Sequence, residues 1–203
     1  MRECVIVGYP NSGKTLFALN FAGFLGTKTV DVTFRSHDGF ITCRHFSLAD
    51  AKRELCSPTL HKTRLLQSIV LTMFVGKAAV TFKLTDTCGV VEDIHPDHTI
   101  RKAMAQTLTA IRSADFILHI VDLERNIRQD NPGSLLGVID QEIYQYGITR
   151  MNYIILANKI DLPAAKENLQ KTIVGFPQAT VLPVSALYTN GFKEVKAFVS
   201  RNI

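Results

Sequence analysis

The sequence lacks any apolar run long and charge-free enough to span a bilayer, so no membrane span is expected. It also lacks the marks of a secretory leader. The start, Met1-Arg2-Glu3-Cys4-Val5-Ile6-Val7-Gly8, offsets its one early base with Glu3, and no small-residue cleavage site follows. A cytoplasmic setting is the expectation. Cysteine is scarce, at Cys4, Cys43, Cys56 and Cys88, with no CxxC pair and no histidine at metal-ligand spacing, which argues for reduced thiols and against a disulfide framework or zinc module. No block of five like charges, internal repeat, low-complexity tract or linker is present. The net charge of +5 is compatible with an acidic partner such as RNA, a ribosome or an anionic surface, and does not demand one.

What is present suits one α/β domain over residues 1–203: 46% of the residues are hydrophobic, enough for a sizeable core. A β-rich run at 2–7 ends in Gly8, and residues 14–25 read as a helix packed on a sheet, stopped by Gly26. Alternation at 29–46 around His37-Asp38-Gly39 predicts a hairpin, followed by a helix at 48–55 capped by Ser47 and broken at Ser57-Pro58. A second hairpin is expected at 64–75 and 78–85 around Gly76-Lys77, then a helix at 97–112 capped by Asp97. Strands at 116–121, 152–157 and 180–184 then alternate with helices at 134–146, ended by Gly147, at 164–173 and at 192–199. Such alternation gives a mainly parallel sheet with helices on both faces. His119 falls within a buried strand and reads as a core histidine with its hydrogen bonds satisfied.

Gly8-Tyr9-Pro10-Asn11-Ser12-Gly13-Lys14-Thr15 fits the phosphate-loop pattern GxxxxGK[ST], between a strand and a helix. Its glycines let the backbone curl so that amides, including those of Ser12, Gly13 and Leu16, point at phosphate oxygens beside a helix N-terminus. Lys14 should reach the outer phosphates, and the Thr15 hydroxyl should ligate Mg²⁺. Asp86-Thr87-Cys88-Gly89 ends the second hairpin; Asp86 is placed to hold the Mg²⁺, and Gly89 to turn its N–H onto the last phosphate.

Asn158-Lys159-Ile160-Asp161 follows an apolar strand and matches the guanine-reading pattern NKxD. Asp161 can accept from N1–H and the 2-amino group of guanine, two donors that adenine lacks. Charged hydrogen bonds contribute about 1.5–3 kcal/mol each, so the pair gives roughly a 10²–10⁴-fold preference. The stem of Lys159 can lie over the purine, Asn158 can tie this loop to the phosphate loop, and Ser185-Ala186-Leu187 can offer the Ala186 amide to guanine O6. The ligand implied is GTP or GDP with Mg²⁺.

With these motifs in order, the chain resembles the translation-factor class of small P-loop GTPases, and within it the Era/Obg/TrmE-like group, over nearly its whole length. GYPNSGKT is similar to that group's GxPNxGK[ST] signature. The resemblance implies a three-layer α/β P-loop NTPase G domain, a hydrolase acting as a molecular switch, and a K⁺ ion bound beside the phosphates through Asn11. Lys14, Thr63 and Gly89 are the candidate catalytic residues. After Gly89 stands Val90 where Ras-like enzymes carry glutamine; its side chain can neither donate nor accept a hydrogen bond, so slow turnover is expected, helped by K⁺, a partner or a nucleotide-dependent homodimer. Thr63, before Arg64, is the preferred switch I ligand for Mg²⁺, with Thr59 the alternative. The segment at about 29–56 is longer than the group needs: either a partner-binding insertion or an extra hairpin and helix packed on the edge. The effector and the process are not read from the sequence, and no RNA-binding domain is expected after the last helix, which stops a few residues before Ile203.

Overall fold

In the computed structural model the chain is described throughout except at residues 57–62, 64, 93, 125–136, 151, 164 and 203. The elements run β1 (Arg2–Val7), α1 (Lys14–Phe24), β2 (Thr29–Arg35), β3 (Ile41–Ser47), α2 (Leu48–Leu55), β4 (Leu66–Val75), β5 (Ala78–Asp86), α3 (His98–Ser113), β6 (Phe116–Asp122), α4 (Val138–Ile148), β7 (Tyr153–Asn158), α5 (Ala165–Gly175), β8 (Val181–Val184) and α6 (Phe192–Asn202). One sheet takes the order β3-β2-β4-β5-β1-β6-β7-β8. From β5 to β8 every pairing is parallel, and from β3 to β5 every pairing is antiparallel. The sheet is therefore mixed, with a parallel half that carries the helical crossovers.

Period-2 alternation sorts the side chains. Cys4, Ile6, Leu71, Phe82, Leu84 and Leu118 join α1, α2 and α6 through Phe17, Phe21, Ala51, Leu55, Phe192 and Val195. Val5, Val7, Ile117, Val121 and Ile155 face the other way, onto Ala110 and Ile111 of α3 and Ile143 and Tyr144 of α4. Strands β6 and β7 are buried along nearly their whole length, as parallel strands covered on both faces must be.

The segment before switch I extends the main sheet: β2 lies between β3 and β4, and Val30, Val32, Phe34 and Phe46 enter the same core as α1 and α2. The expected turn is present, with Gly39 at φ 92°. Ser47 Oγ accepts the Asp50 amide at 3.1 Å, and Asp97 caps α3 through the Thr99 amide at 2.8 Å.

Two helices depart most from expectation. The helix placed at 134–146 is observed as Val138–Ile148, with 134–136 outside the described residues. Gly147 does not end it; a Cβ there would overlap the Tyr153 ring, so this glycine serves close packing. Helix α6 continues past 199 to Asn202, whose backbone oxygen accepts from Arg2 Nη1 at 2.8 Å.

Arg150, just after α4, spans to the exposed C-terminus of α3. Its Nη2 donates to Ala114 O at 2.6 Å and its Nη1 to the Tyr146 hydroxyl at 3.1 Å, while the guanidinium lies 5.7 Å from the Tyr146 ring. A cation at that end satisfies carbonyls left over by the helix and complements its dipole. Arg150→Ala is expected to lower the unfolding free energy by about 1–2 kcal/mol, read as a shift in urea midpoint at constant slope.

Candidate functional site

The phosphate loop curls because its backbone enters the left-handed region at three places: Gly8 (φ 140°), Asn11 (φ 61°) and Gly13 (φ 97°). Gly13 also lies against the Asn158 carboxamide, and Gly8 against Ile120 O, with no room for a Cβ at either. The first bond of α1 is Phe17 N–H to Gly13 O at 2.8 Å, and no side chain caps this end. The amides of Lys14, Thr15 and Leu16 therefore project from the helix start toward any anion there. The Leu16 side chain packs against the core, so only its main chain belongs to the cradle.

Lys14 is buried, and its Nζ donates to Gly8 O at 3.1 Å and Tyr9 O at 2.5 Å. Burial pulls its pKa down, against the pull of Asp86 and its other charged neighbours. Thr15 Oγ1 donates to Asp86 Oδ2 at 2.6 Å and lies 3.3 Å from Thr63 Oγ1. The structure thus brings together Thr15, Asp86 and the preferred switch I threonine; Thr59 lies outside the described residues. Among the described residues, two buried side-chain atoms have no hydrogen-bond partner, Asp86 Oδ1 and Ser12 Oγ. Both lie in this cradle, and such atoms are costly unless a ligand satisfies them.

That pair of atoms tests the ligands implied by the sequence. A carboxylate oxygen and two hydroxyls are hard donors of the kind Mg²⁺ takes, with phosphate oxygens and water completing six. Among the described residues no three His, Cys, Asp or Glu side chains converge as a metal site, so a divalent ion here rests on this mixed oxygen set. The donors fit Mg²⁺, and the buried Ser12 hydroxyl fits a phosphate oxygen.

The base half is built around Asn158, the last residue of β7. Its Nδ2 donates to Ser12 O at 2.7 Å, and its Oδ1 accepts the Ala186 amide at 2.9 Å. The Ala186 amide, expected to face guanine O6, is thus held by Asn158; it is buried and takes the nearest carbonyl. Ser185 N–H donates to Asn190 O at 3.1 Å, and Ser185 Oγ accepts the Tyr188 amide at 3.1 Å, closing this loop. Lys159 sits at φ 70°, and its ammonium bridges Asp122 at 2.7 Å and Glu124 at 2.8 Å. Partial burial opposes the charge, but those carboxylates outweigh it and raise the pKa. Asp161 and Leu187 are exposed at the mouth.

Sequence reasoning missed several partners. Asn20 Nδ2 donates to Ala186 O at 2.6 Å, holding the base loop from α1; the available signal was a polar residue between Leu19 and Phe21 on a core-facing helix. Tyr9 and Glu92 are hydrogen-bonded to each other and to the start of α4. Gly89 packs on Pro10 with no space for a Cβ, and the Val90 amide lies 3.4 Å from Gly8 O. His119 is the satisfied core histidine expected, between Tyr153 and Asp140.

Residues 45–159, more than half of the chain and running from β3 to the Asn158-Lys159 pair, match the model of the 50S ribosome-binding GTPases. The chain belongs to this family. It is 30% identical over 118 residues to GTPase Obg of Shouchella clausii and 32% identical over 119 residues to GTPase Obg of Geobacillus kaustophilus. Those matches cover 57% of this chain and 27% and 26% of the relatives, so the chain spans about a quarter of their length. Among solved structures, Aquifex aeolicus Era bound to GDP·AlF4⁻ superposes with a TM-score of 0.68 at 22% identity, over 100% of this chain and 57% of Era. Era in complex with MgGDPNP and a 16S ribosomal RNA fragment gives 0.66 at 23% identity, over 99% and 56%. The G domain of the T. maritima iron transporter FeoB gives 0.54 at 15% identity, over 100% and 98%. At these identities the structures establish the shared fold.

In this GTPase fold Asp86 carries a distinct electrostatic cost. Burial pushes its pKa from 3.8 up to about 6, opposed by the Thr15 hydroxyl and the Lys14 charge. A carboxyl whose pKa is higher folded than unfolded binds its proton more tightly in the native state, so stability falls as pH rises from about 4 to 6 and is level above that. At pH 7 the cost is about 3 kcal/mol. Asp86→Asn is therefore expected to stabilise the metal-free, nucleotide-free protein by on the order of 1–3 kcal/mol at pH 7.5 and by much less at pH 4.5. Urea unfolding in chelator at the two pH values measures this; an equal gain at both refutes the assignment.

Proposed function

We propose that the chain binds GTP and GDP with Mg²⁺, hydrolyses GTP slowly to GDP and phosphate, and acts as a cytosolic molecular switch, with residues 1–203 forming a single G domain. The observation that carries this reading is the Asn158 carboxamide, which bonds Ser12 O in the phosphate loop and the Ala186 amide in the base loop at once. One side chain thereby sets phosphate cradle and purine reader around a common pocket.

Within it, the amides of residues 13–16 and the Lys14 ammonium stabilise charge on the transferring phosphoryl group. Thr15, Asp86 and Thr63 hold Mg²⁺, which when bound neutralises charge on the outer phosphate oxygens. The Gly89 amide faces the last phosphate, and Asn11 offers a carbonyl oxygen to K⁺. Asp161 reads the guanine edge, with the Lys159 stem against the ring. Val90 supplies no hydrogen bond to an attacking water, so turnover relies on K⁺, a partner or a second copy meeting it across the nucleotide. The same valine favours a second reading, a binding module with little hydrolysis. The charge of +5, the family's description and the ribosomal RNA bound by Era together support a ribosomal or RNA partner.

Asp161→Ala is expected to weaken GDP binding roughly 10²–10⁴-fold with ATP affinity unchanged, measured by displacement of a fluorescent GDP. Single-turnover phosphate release is expected to be slow in sodium buffer and faster in potassium. A rate above about 1 s⁻¹ in sodium without a partner contradicts slow turnover, and no release in either salt selects the binding module.

A further inference from the structure

Tyr9, Glu92 and the first turn of α4 form a junction made through the Tyr9 side chain, while the Tyr9 backbone oxygen accepts from Lys14 Nζ at 2.5 Å. Tyr9 stands in the phosphate loop, and its buried hydroxyl donates to Glu92 Oε1 while accepting the Ile139 amide at 3.3 Å. The same Oε1 accepts the Val138 amide at 3.2 Å. The Tyr9 ring fits over Gly137, where a Cβ would overlap it. Gly137 is the N-cap of α4 and offers no side-chain acceptor, so the Glu92 carboxylate takes that place, with favourable charge at a helix start.

The turn that Glu92 grips is itself anchored. Asp140 Oδ1 lies 2.9 Å from Nε2 of the fully buried His119 on β6, whose Nδ1 lies 2.8 Å from the Tyr153 hydroxyl on β7. On the other side, Gly89 packs on Pro10 and Val90 N–H approaches Gly8 O. Only Val90 and Val91 separate Gly89 from Glu92. Two fixed points so close in sequence leave the main chain between them little freedom. Because the Val90 side chain brings no polar group to the reaction, main-chain placement is what this segment can contribute.

We propose that Glu92, with Tyr9, is a positioning residue for GTP hydrolysis: it tethers the segment after Asp86-Thr87-Cys88-Gly89 to the fixed first turn of α4 and so sets where the Gly89 amide stands beside the phosphate cradle. This rests on the hydrolytic reading above. A tether of this kind acts on the reaction and leaves ground-state nucleotide binding nearly untouched, since Glu92 meets neither base nor loop amides.

The test compares wild type, Glu92→Ala, Glu92→Gln and Tyr9→Phe in K⁺ buffer by GDP affinity, single-turnover hydrolysis, and hydrogen exchange at the Val138 and Ile139 amides. Glu92→Ala is expected to slow hydrolysis about tenfold or more with GDP affinity changed less than about threefold, and to speed exchange at both amides. Glu92→Gln keeps an oxygen acceptor and is expected to restore both readouts; Tyr9→Phe falls between. Wild-type hydrolysis in Glu92→Ala, a parallel loss of GDP affinity, or a Gln variant as slow as the Ala variant overturns the proposal. If the wild type itself releases no phosphate, the hydrolytic reading fails, and the proposal with it. The exchange arm then still decides whether the tether exists: unchanged exchange in Glu92→Ala shows there is none.

Discussion

The site depends on close packing against a loop whose side chains have been removed where its neighbours press. Gly8 meets Ile120 O, Gly13 meets the Asn158 carboxamide and Gly89 meets Pro10, each with no volume for a Cβ. These contacts come from β6, the end of β7 and the segment after β5, which β1 brings together at the centre of the parallel half of the sheet. Two of the three glycines also sit at positive φ, so a larger residue there would suffer both clash and backbone strain. The curl of residues 8–15 is imposed from three sides, and the orientation of the amides at the start of α1 follows from it.

The two halves of the pocket are finished differently. Around Asn158, the side chains of Asn158, Asn20, Ser185 and Lys159 all have partners within 3.1 Å, and Lys159, at φ 70°, has its ammonium on two carboxylates. Around the phosphates, Asp86 Oδ1 and Ser12 Oγ are buried without partners, and Lys14 and Asp86 are each pushed toward neutrality by burial. A satisfied network specifies a shape; an unsatisfied one stores a cost that a ligand can relieve. The half around Asn158 is fully hydrogen-bonded, while the half around Asp86 keeps two buried oxygen atoms that a bound ligand would satisfy.

The ladder of elements was legible because it follows from periodicity: both hairpins, the Ser47 and Asp97 caps and the strand-helix alternation after Asp115 are local patterns. Motif spacing likewise placed Gly8 to Thr15, Asp86 and Asn158 on strand ends and a helix start, where the fold holds them. What escaped is long-range pairing. Nothing near Glu92 in sequence announces that its partners are Tyr9 and Val138, and Asn20 reads as an ordinary polar residue until Ala186 O is beside it. Gly147 misled for the same reason: helix termination is a local rule, while the contact with Tyr153 that requires a glycine is tertiary.

The segment at 29–56 shows how packing and surface divide within one insertion. Its alternate residues Val30, Val32, Phe34 and Phe46, with Ala51 and Leu55 of α2, enter the core shared with α1, so the hairpin cannot be removed without exposing that core. The opposite faces are another matter. Residues 41–45 of β3 are exposed on the last strand of the sheet, and Val70 and Phe74 of β4 are exposed on the same sheet. Helix α3 reaches the hairpin turn through Gln106, whose amide donates to Arg35 O at 3.2 Å and Ser36 O at 3.0 Å. Because α3 follows the segment after Gly89 in sequence, those two hydrogen bonds connect that segment's helix to the hairpin turn. Any change at the phosphate end that shifts α3 must either carry the hairpin turn with it or break them.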